Sequence, residues 1–232
     1  MNLAGILAAS TSTAVLVEGE SDRVAVEALA ARLGLPLADL GVQVVAMGGI
    51  TNIGHHLVAL SGERPASEQA SEQASGQLPG QPSGRAPGQP PGLPGISPQD
   101  AVRAFRVGGL YDAAEERFVI KGLDRVGLRP EADTTPLSDH GFFRCERDLE
   151  DELMRAVGTD GFLALIEAEG ELRSFERLRG QPAQRERTTA QQLHRFIGSK
   201  GGRKERYGRR LAETLPLDRV PAPLDALLRW AT

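Results

Sequence analysis

A chain of 232 residues, 40% of them apolar and with a formal net charge of −4, is long enough for one α/β domain with a small appendage. Its single cysteine, Cys145, excludes a disulfide framework and a zinc cage, and no apolar run reaches the roughly eighteen residues of a membrane span. The apolar N-terminus has no basic residue before it and runs into Glu18 and Glu20, so we expect a cytoplasmic protein without a secretory signal.

Strand-like and helix-like segments alternate along the chain. Short apolar runs at 13–17, 42–47, the end of 101–111 and 141–145 predict buried parallel strands. Segments with the apolar spacing of helices follow them at 21–33, 52–60, 115–123 and 149–157. This alternation predicts an α/β fold with a mostly parallel sheet that helices flank on both faces.

The chain between the second and third predicted strands has a different composition. Of the 37 residues at 62–98, 25 are Gly, Pro, Ser or Gln, and none is aromatic. Such a segment buries too little apolar area to offset the entropy of ordering, so we expect a disordered insert in a surface loop. We therefore predict one domain at 1–169 that this insert interrupts, and a basic helical region at 170–232 that packs on it.

Positive charge is concentrated near the C-terminal end of the chain. Residues 170–211 carry 12 Lys or Arg against 4 Glu, a balance of +8, so the rest of the chain sums to −12. A basic surface beside an acidic body is expected of a metal-using enzyme with a polyanionic substrate. A solvated helix face rich in arginine is the alternative interpretation.

Acidic residues follow three of the predicted strands. Glu18 ends the first strand, Asp112 ends the third, and Asp148 and Glu150 follow the fourth. Ligands of parallel α/β sheets gather beyond the carboxyl ends of the strands, so these carboxylates would converge at one edge. Oxygen ligands of this kind suit Mg²⁺ or Mn²⁺. The alternative is a structural role at helix N-termini, where acidic side chains are common.

Four sequence pieces, VEGESD, MGGITNI, GLYDAAEE and DLEDEL, occur in this order and precede the basic segment GSKGGRKERYGRRLAE. Together they resemble the TOPRIM domain of the OLD (overcoming lysogenization defect) family, and look closest to its standalone actinobacterial type without an ATPase domain. TOPRIM is the metal-binding fold that topoisomerases, bacterial primases and OLD nucleases share. The resemblance covers nearly the whole chain outside the insert. It implies a divalent-metal-dependent endonuclease that acts on DNA with Mg²⁺ or Mn²⁺ as cofactor.

The resemblance also implies roles for individual acidic residues. Glu18 matches the TOPRIM glutamate, which is a metal ligand and a general-base candidate. Asp22 matches the second acidic position of the first OLD-type motif, and Asp148 and Glu150 match its later acidic element. All four residues are therefore expected to be metal ligands.

The third motif departs from the family pattern. Asp112 matches the first aspartate of a D-x-D pair, as a metal ligand and catalytic residue, but Ala114 replaces the second aspartate. Glu115 follows one residue later and could reach a metal through a water molecule. Whether the centre holds one metal or two therefore stays open.

Basic residues of the last segment are implied to act on the phosphate. Lys204 is the first choice, and Lys200 the second, for a catalytic residue that neutralises charge developing on the phosphoryl oxygens. The backbone of DNA would be held by the basic side chains of this segment: Lys200, Arg203, Lys204, Arg206, Arg209 and Arg210.

The sequence is compatible with two other functions. One is a non-catalytic TOPRIM module that binds nucleic acid or regulates an ATPase partner, which the loss at Ala114 favours. The other is a different TOPRIM chemistry on RNA or on a nucleotide. The amphipathic C-terminal helix could serve a homodimer as readily as the core of one chain.

Overall fold

The residues that the structure describes form a four-stranded parallel sheet. This computed structural model describes residues 10–60, 106–128 and 135–232. The strands lie in the order β2-β1-β3-β4, and they are β1 (Thr13–Val17), β2 (Val42–Ala46), β3 (Arg106–Asp112) and β4 (Phe142–Cys145). All three strand pairings are parallel, which confirms the predicted fold class. The predicted insert at 62–98 lies outside the described residues, as do residues 101–105.

Helices connect and cover these strands. They are α1 (Glu20–Arg32), α2 (Ile53–Leu60), α3 (Glu116–Arg125), α4 (Leu149–Ala168), α5 (Leu172–Arg179), α6 (Thr189–Ile197), α7 (Arg203–Thr214) and α8 (Ala222–Ala231). The longest, α4, is kinked at Gly158, whose φ of 79° is left-handed and readily adopted by glycine. In the described part of the chain, no helix is both long and apolar enough to cross a lipid bilayer.

Apolar side chains form two layers, one on each face of the sheet. Along β1, Val15 packs with α1 and the C-terminal helices, whereas the next residue, Leu16, packs with α2 and α3 on the opposite face. In the first layer, the ring of Tyr207 contacts those of Phe162 and Phe196 edge to face, at centroid distances of 5.5 and 6.0 Å. Burial on both faces explains why the strands are apolar throughout rather than alternating.

Two adjacent glycines allow β3 to pack closely between its neighbours. A Cβ atom added at Gly109 would lie 2.1 Å from the carbonyl oxygen of Leu16 on β1, and one at Gly108 would lie 2.3 Å from the carbonyl oxygen of Gly141. No side chain fits at such distances, so glycine is required at both positions. This close approach sets the C-terminal end of β3, and with it Asp112, beside the end of β1.

Helix α7 packs along α1, which connects the basic C-terminal region to the sheet. The guanidinium of Arg32 donates hydrogen bonds to the carbonyl oxygens of Ala212 and Leu215, at 2.8 and 2.7 Å, where α7 ends. Near the other end of the contact, a Cβ atom at Gly208 would lie 3.1 Å from the carbonyl oxygen of Ser21. The first turn of α7 is thereby brought to the N-terminus of α1. The division of the chain near residue 169 stays a prediction.

Candidate metal centre

Three carboxylates from two neighbouring strands meet at the carboxyl edge of the sheet. Glu18 directly follows β1, Asp112 is the last residue of β3, and Glu115 ends the short 3-10 turn after β3. One carboxylate oxygen from each lies within 4.8 Å of the other two. These three residues, which we call the acidic triad, are spaced so that one hard divalent cation could bind all three oxygens.

The turn after β3 presents Glu115, and not position 114, to this cluster. Ala114 is exposed to solvent, whereas one carboxylate oxygen of Glu115, Oε2, is buried and has no hydrogen-bond partner. Glu115 thus lies beside Glu18 and Asp112 directly, where the sequence predicted no more than a contact through water. The 3-10 geometry of residues 113–115 explains the difference, because it turns the third residue after β3 inward.

A second set of charged groups lines the same small cavity from α1, α4 and α7. Asp22 is buried in the first turn of α1, where its Oδ2 accepts a hydrogen bond from the backbone N–H of Gly19 at 2.9 Å. Glu150 is 1% exposed, and neither of its carboxylate oxygens has a hydrogen-bond partner. The Nζ of Lys204 lies 3.2 Å from Oε1 of Glu150, so the two form an ion pair.

Burial and the close packing of these carboxylates raise the pKa values of three of them. Burial, followed by the negative charge of Glu18 and Glu115, raises the pKa of Asp112 from 3.8 to about 7. Burial and the charge of Glu150 likewise raise the pKa of Asp22 to about 7, although the N–H of Gly19 acts in the opposite direction. The pKa of Glu115 is raised by burial and by Glu18. A bound cation would relieve this repulsion.

Asp148 has a different environment from the other acidic residues of the cavity. Its Oδ1 accepts a hydrogen bond from the backbone N–H of Asp151 at 2.7 Å, which caps α4, and its Oδ2 lies 2.7 Å from Nε2 of His194. Burial alone would raise the pKa of Asp148, but these hydrogen bonds lower it. Both oxygens already have partners, which argues against the predicted direct metal contact. His194 was not among the predicted site residues, since it lies 46 positions after Asp148 in the sequence.

The basic side chains of α7 are largely engaged within the protein. Arg203 is 5% exposed, and its guanidinium donates to Glu171, to the carbonyl oxygen of Phe196 and to the hydroxyl of Ser199. This burial argues against the predicted contact between Arg203 and DNA. The three other arginines of α7 form ion pairs with Glu169, Glu171 or Glu213, and they are Arg206, Arg209 and Arg210. Lys200 is exposed just before α7.

Part of the chain is similar in sequence to a known protein family, and its fold is similar to that of solved structures. Residues 11–62 match the family model described as overcoming lysogenization defect protein-like, TOPRIM domain. We refer to these matched residues as the OLD-like TOPRIM segment. No curated protein sequence matches the chain. Within the OLD-like TOPRIM segment lie β1, α1, β2 and α2, together with Glu18 and Asp22 of the candidate centre.

The fold of the described residues is similar to that of OLD C-terminal regions. The C-terminal region of the Xanthomonas campestris pv. campestris OLD protein is similar with a TM-score of 0.59 and 20% identity, over 95% of this chain and 94% of that one. The C-terminal region of the Burkholderia pseudomallei OLD protein is similar with a TM-score of 0.56 and 19% identity, over 95% and 96% of the two chains. The predicted resemblance to the OLD-like TOPRIM domain is therefore confirmed, in sequence at residues 11–62 and elsewhere in fold.

Proposed function

We propose that this protein is a divalent-metal-dependent endonuclease that hydrolyses phosphodiester bonds of DNA. The observation that carries the proposal is the acidic triad, in which three carboxylate oxygens lie within 4.8 Å of one another at the edge of an OLD-like TOPRIM fold. Carboxylates so close together repel each other, and such an arrangement costs folding free energy unless a ligand compensates it.

The chemistry of the triad fits Mg²⁺ or Mn²⁺ as the ligand. All its donors are hard carboxylate oxygens, which these ions prefer over nitrogen or sulfur. The buried Oε2 of Glu115 lacks a hydrogen-bond partner and is available for coordination. Glu18, Asp112 and Glu115 would hold the ion, which would supply Lewis-acid polarisation of the phosphodiester and a lowered pKa for water.

The side chains around the triad have distinct parts in the proposed reaction. Glu18 would accept a proton from the attacking water as the general base. The ammonium of Lys204, half-exposed at the same cavity, would neutralise charge that develops on the phosphoryl oxygens. The exposed Lys200 and the outward-facing arginines of α7 would attract the DNA backbone without reading its sequence.

The experiment is incubation of supercoiled plasmid with the purified protein and Mg²⁺ or Mn²⁺, followed by gel separation of nicked and linear forms. We expect metal-dependent nicking that Glu18→Gln and Asp112→Asn each reduce by about 100-fold or more, the usual scale for loss of an acid–base or electrostatic group. Asp160→Asn is the matched control, because Asp160 is an exposed carboxylate of α4 that does not line the cavity. Cleavage that persists unchanged in both triad variants would show contamination and refute the proposal.

A second candidate function is a non-catalytic TOPRIM module that binds nucleic acid or an ATPase partner. The observation in its favour is the pairing of Arg206, Arg209 and Arg210 with glutamates, which leaves less free positive charge for a substrate. The plasmid assay separates the two functions. Retarded migration of DNA without metal-dependent cleavage in any divalent cation would favour the module.

A further inference from the structure

The candidate centre has two halves that are neutralised in different ways. The acidic triad forms one half, and among residues 10–60, 106–128 and 135–232 it is the only set of three acidic, His or Cys side chains with ligand atoms this close together. The other half consists of Asp22 and Glu150, with Lys204 against them. Here a protein cation, the ammonium of Lys204, already lies against the carboxylate pair.

The negative charge of the second half already has a counter-charge, and Glu150 shows this most clearly. Its side chain is 2% exposed, and an ionised carboxylate at that depth needs a counter-charge to offset its lost hydration. Lys204 supplies one, with its Nζ 3.2 Å from Oε1.

The position where a further ligand would be expected does not provide one. Ala114 occupies the place of the second aspartate of the D-x-D pair, and its side chain is exposed and has no donor atom. The neighbouring Glu115 belongs to the triad and therefore strengthens the first half instead of the second.

We propose that this centre binds a single divalent cation, at the acidic triad, because the ammonium of Lys204 occupies the second half as a resident cation. The inference rests on the proposed function, since it concerns the same centre. Lys204 thus has two roles at this centre. It offsets part of the negative charge of Asp22 and Glu150 before substrate binds, and it remains half-exposed toward the cavity where a phosphate would arrive.

The test is to count Mn²⁺ ions bound to the purified full-length chain, by electron paramagnetic resonance of free Mn²⁺ and by isothermal titration calorimetry. We expect one Mn²⁺ per chain at saturation, lost in Asp112→Asn and retained in Glu150→Gln. Two Mn²⁺ per chain would overturn this inference and leave the proposed function intact. No bound Mn²⁺ would overturn both, so the two failures are distinguishable without any measurement of cleavage.

A separate variant tests the role of Lys204. Lys204→Met keeps the aliphatic stem but removes the charge, and we expect a second, weaker Mn²⁺ to bind at Asp22 and Glu150. The double variant Lys204→Met/Glu150→Gln should return to one ion. Arg209→Met removes a positive charge from the same helix at an exposed pair with Glu213, and it should leave the count at one. A count of one in Lys204→Met would refute the assignment of Lys204 as the group that excludes a second cation.

Discussion

Replacing Asp112 by asparagine should stabilise the metal-free protein at alkaline pH. The folded-state pKa of Asp112 is raised to about 7, whereas in the unfolded chain it is close to 3.8. Between these values the folded state holds a proton that the unfolded state has lost, so stability falls as pH rises from about 4 to about 7. Above pH 7 the full penalty is present, and asparagine, which has nearly the same shape but no charge, removes it.

The size of the effect follows from the same pKa values. The whole difference would correspond to about 4 kcal/mol, at about 1.36 kcal/mol per pH unit. Asp112 is only half-buried and solvent screens part of the repulsion, so we expect a gain of about 1–2 kcal/mol. For a chain of this length, that raises the melting temperature by about 2–8 °C.

Thermal unfolding followed by circular dichroism, with EDTA present, measures this difference at pH 8 and at pH 5. The advantage of Asp112→Asn over the natural chain should be largest at pH 8 and shrink at pH 5, where much of the penalty is absent. Mn²⁺ at about 100 times its dissociation constant should then stabilise the natural chain by about 2.7 kcal/mol and the variant much less. The exposed Asp39→Asn is the control and should show neither effect. An Asp112→Asn variant that is less stable than the natural chain at pH 8 would refute the reasoning.

Three further variants test other contacts of the structure. Lys204→Ala should lower the free energy of unfolding by about 1–3 kcal/mol in urea titrations at pH 8, because it leaves Glu150 buried without a counter-charge; an unchanged midpoint would contradict this. Glu171→Gln should cost about 2–4 kcal/mol in the same assay, since its carboxylate accepts hydrogen bonds from two arginines and a tyrosine of α7. Gly109→Ala should yield insoluble or unfolded protein, as judged by circular dichroism, because its Cβ would lie 2.1 Å from the backbone oxygen of Leu16; a folded variant with native stability would show that β3 can move.

The part of the centre that lies at strand ends could be predicted from the sequence. The apolar runs at 13–17 and 141–145 define strands to within one residue of the observed β1 and β4. Once the sheet is parallel, Glu18 and Asp112 must lie at the same edge, since both follow the carboxyl ends of strands. Their proximity also requires that β1 and β3 be neighbours, which the strand order β2-β1-β3-β4 provides.

The contacts that depend on side-chain packing could not be predicted in this way. The direct participation of Glu115 depends on the 3-10 turn at residues 113–115, and no residue there signals a 3-10 turn over the start of an α-helix. The burial of Arg203 depends on a glutamate 32 residues away, so its sequence neighbours, which are mostly basic, suggest an exposed surface instead. From sequence alone, a charged residue is predicted to be exposed unless its partner in the fold is known.

The network around Glu171 explains how a helix rich in positive charge can be part of a structural core and of the candidate centre together. Its carboxylate accepts hydrogen bonds from Arg203 and Tyr207, which fixes the start of α7 against α5. Gly208, five residues after Arg203 in α7, lets the helix approach α1 closely. Lys204 projects between these two fixed points and is therefore held near Glu150 by α7 as a whole. The basic residues of this helix thus divide by position, because the buried Arg203 orients the helix and thereby places Lys204 at the carboxylates.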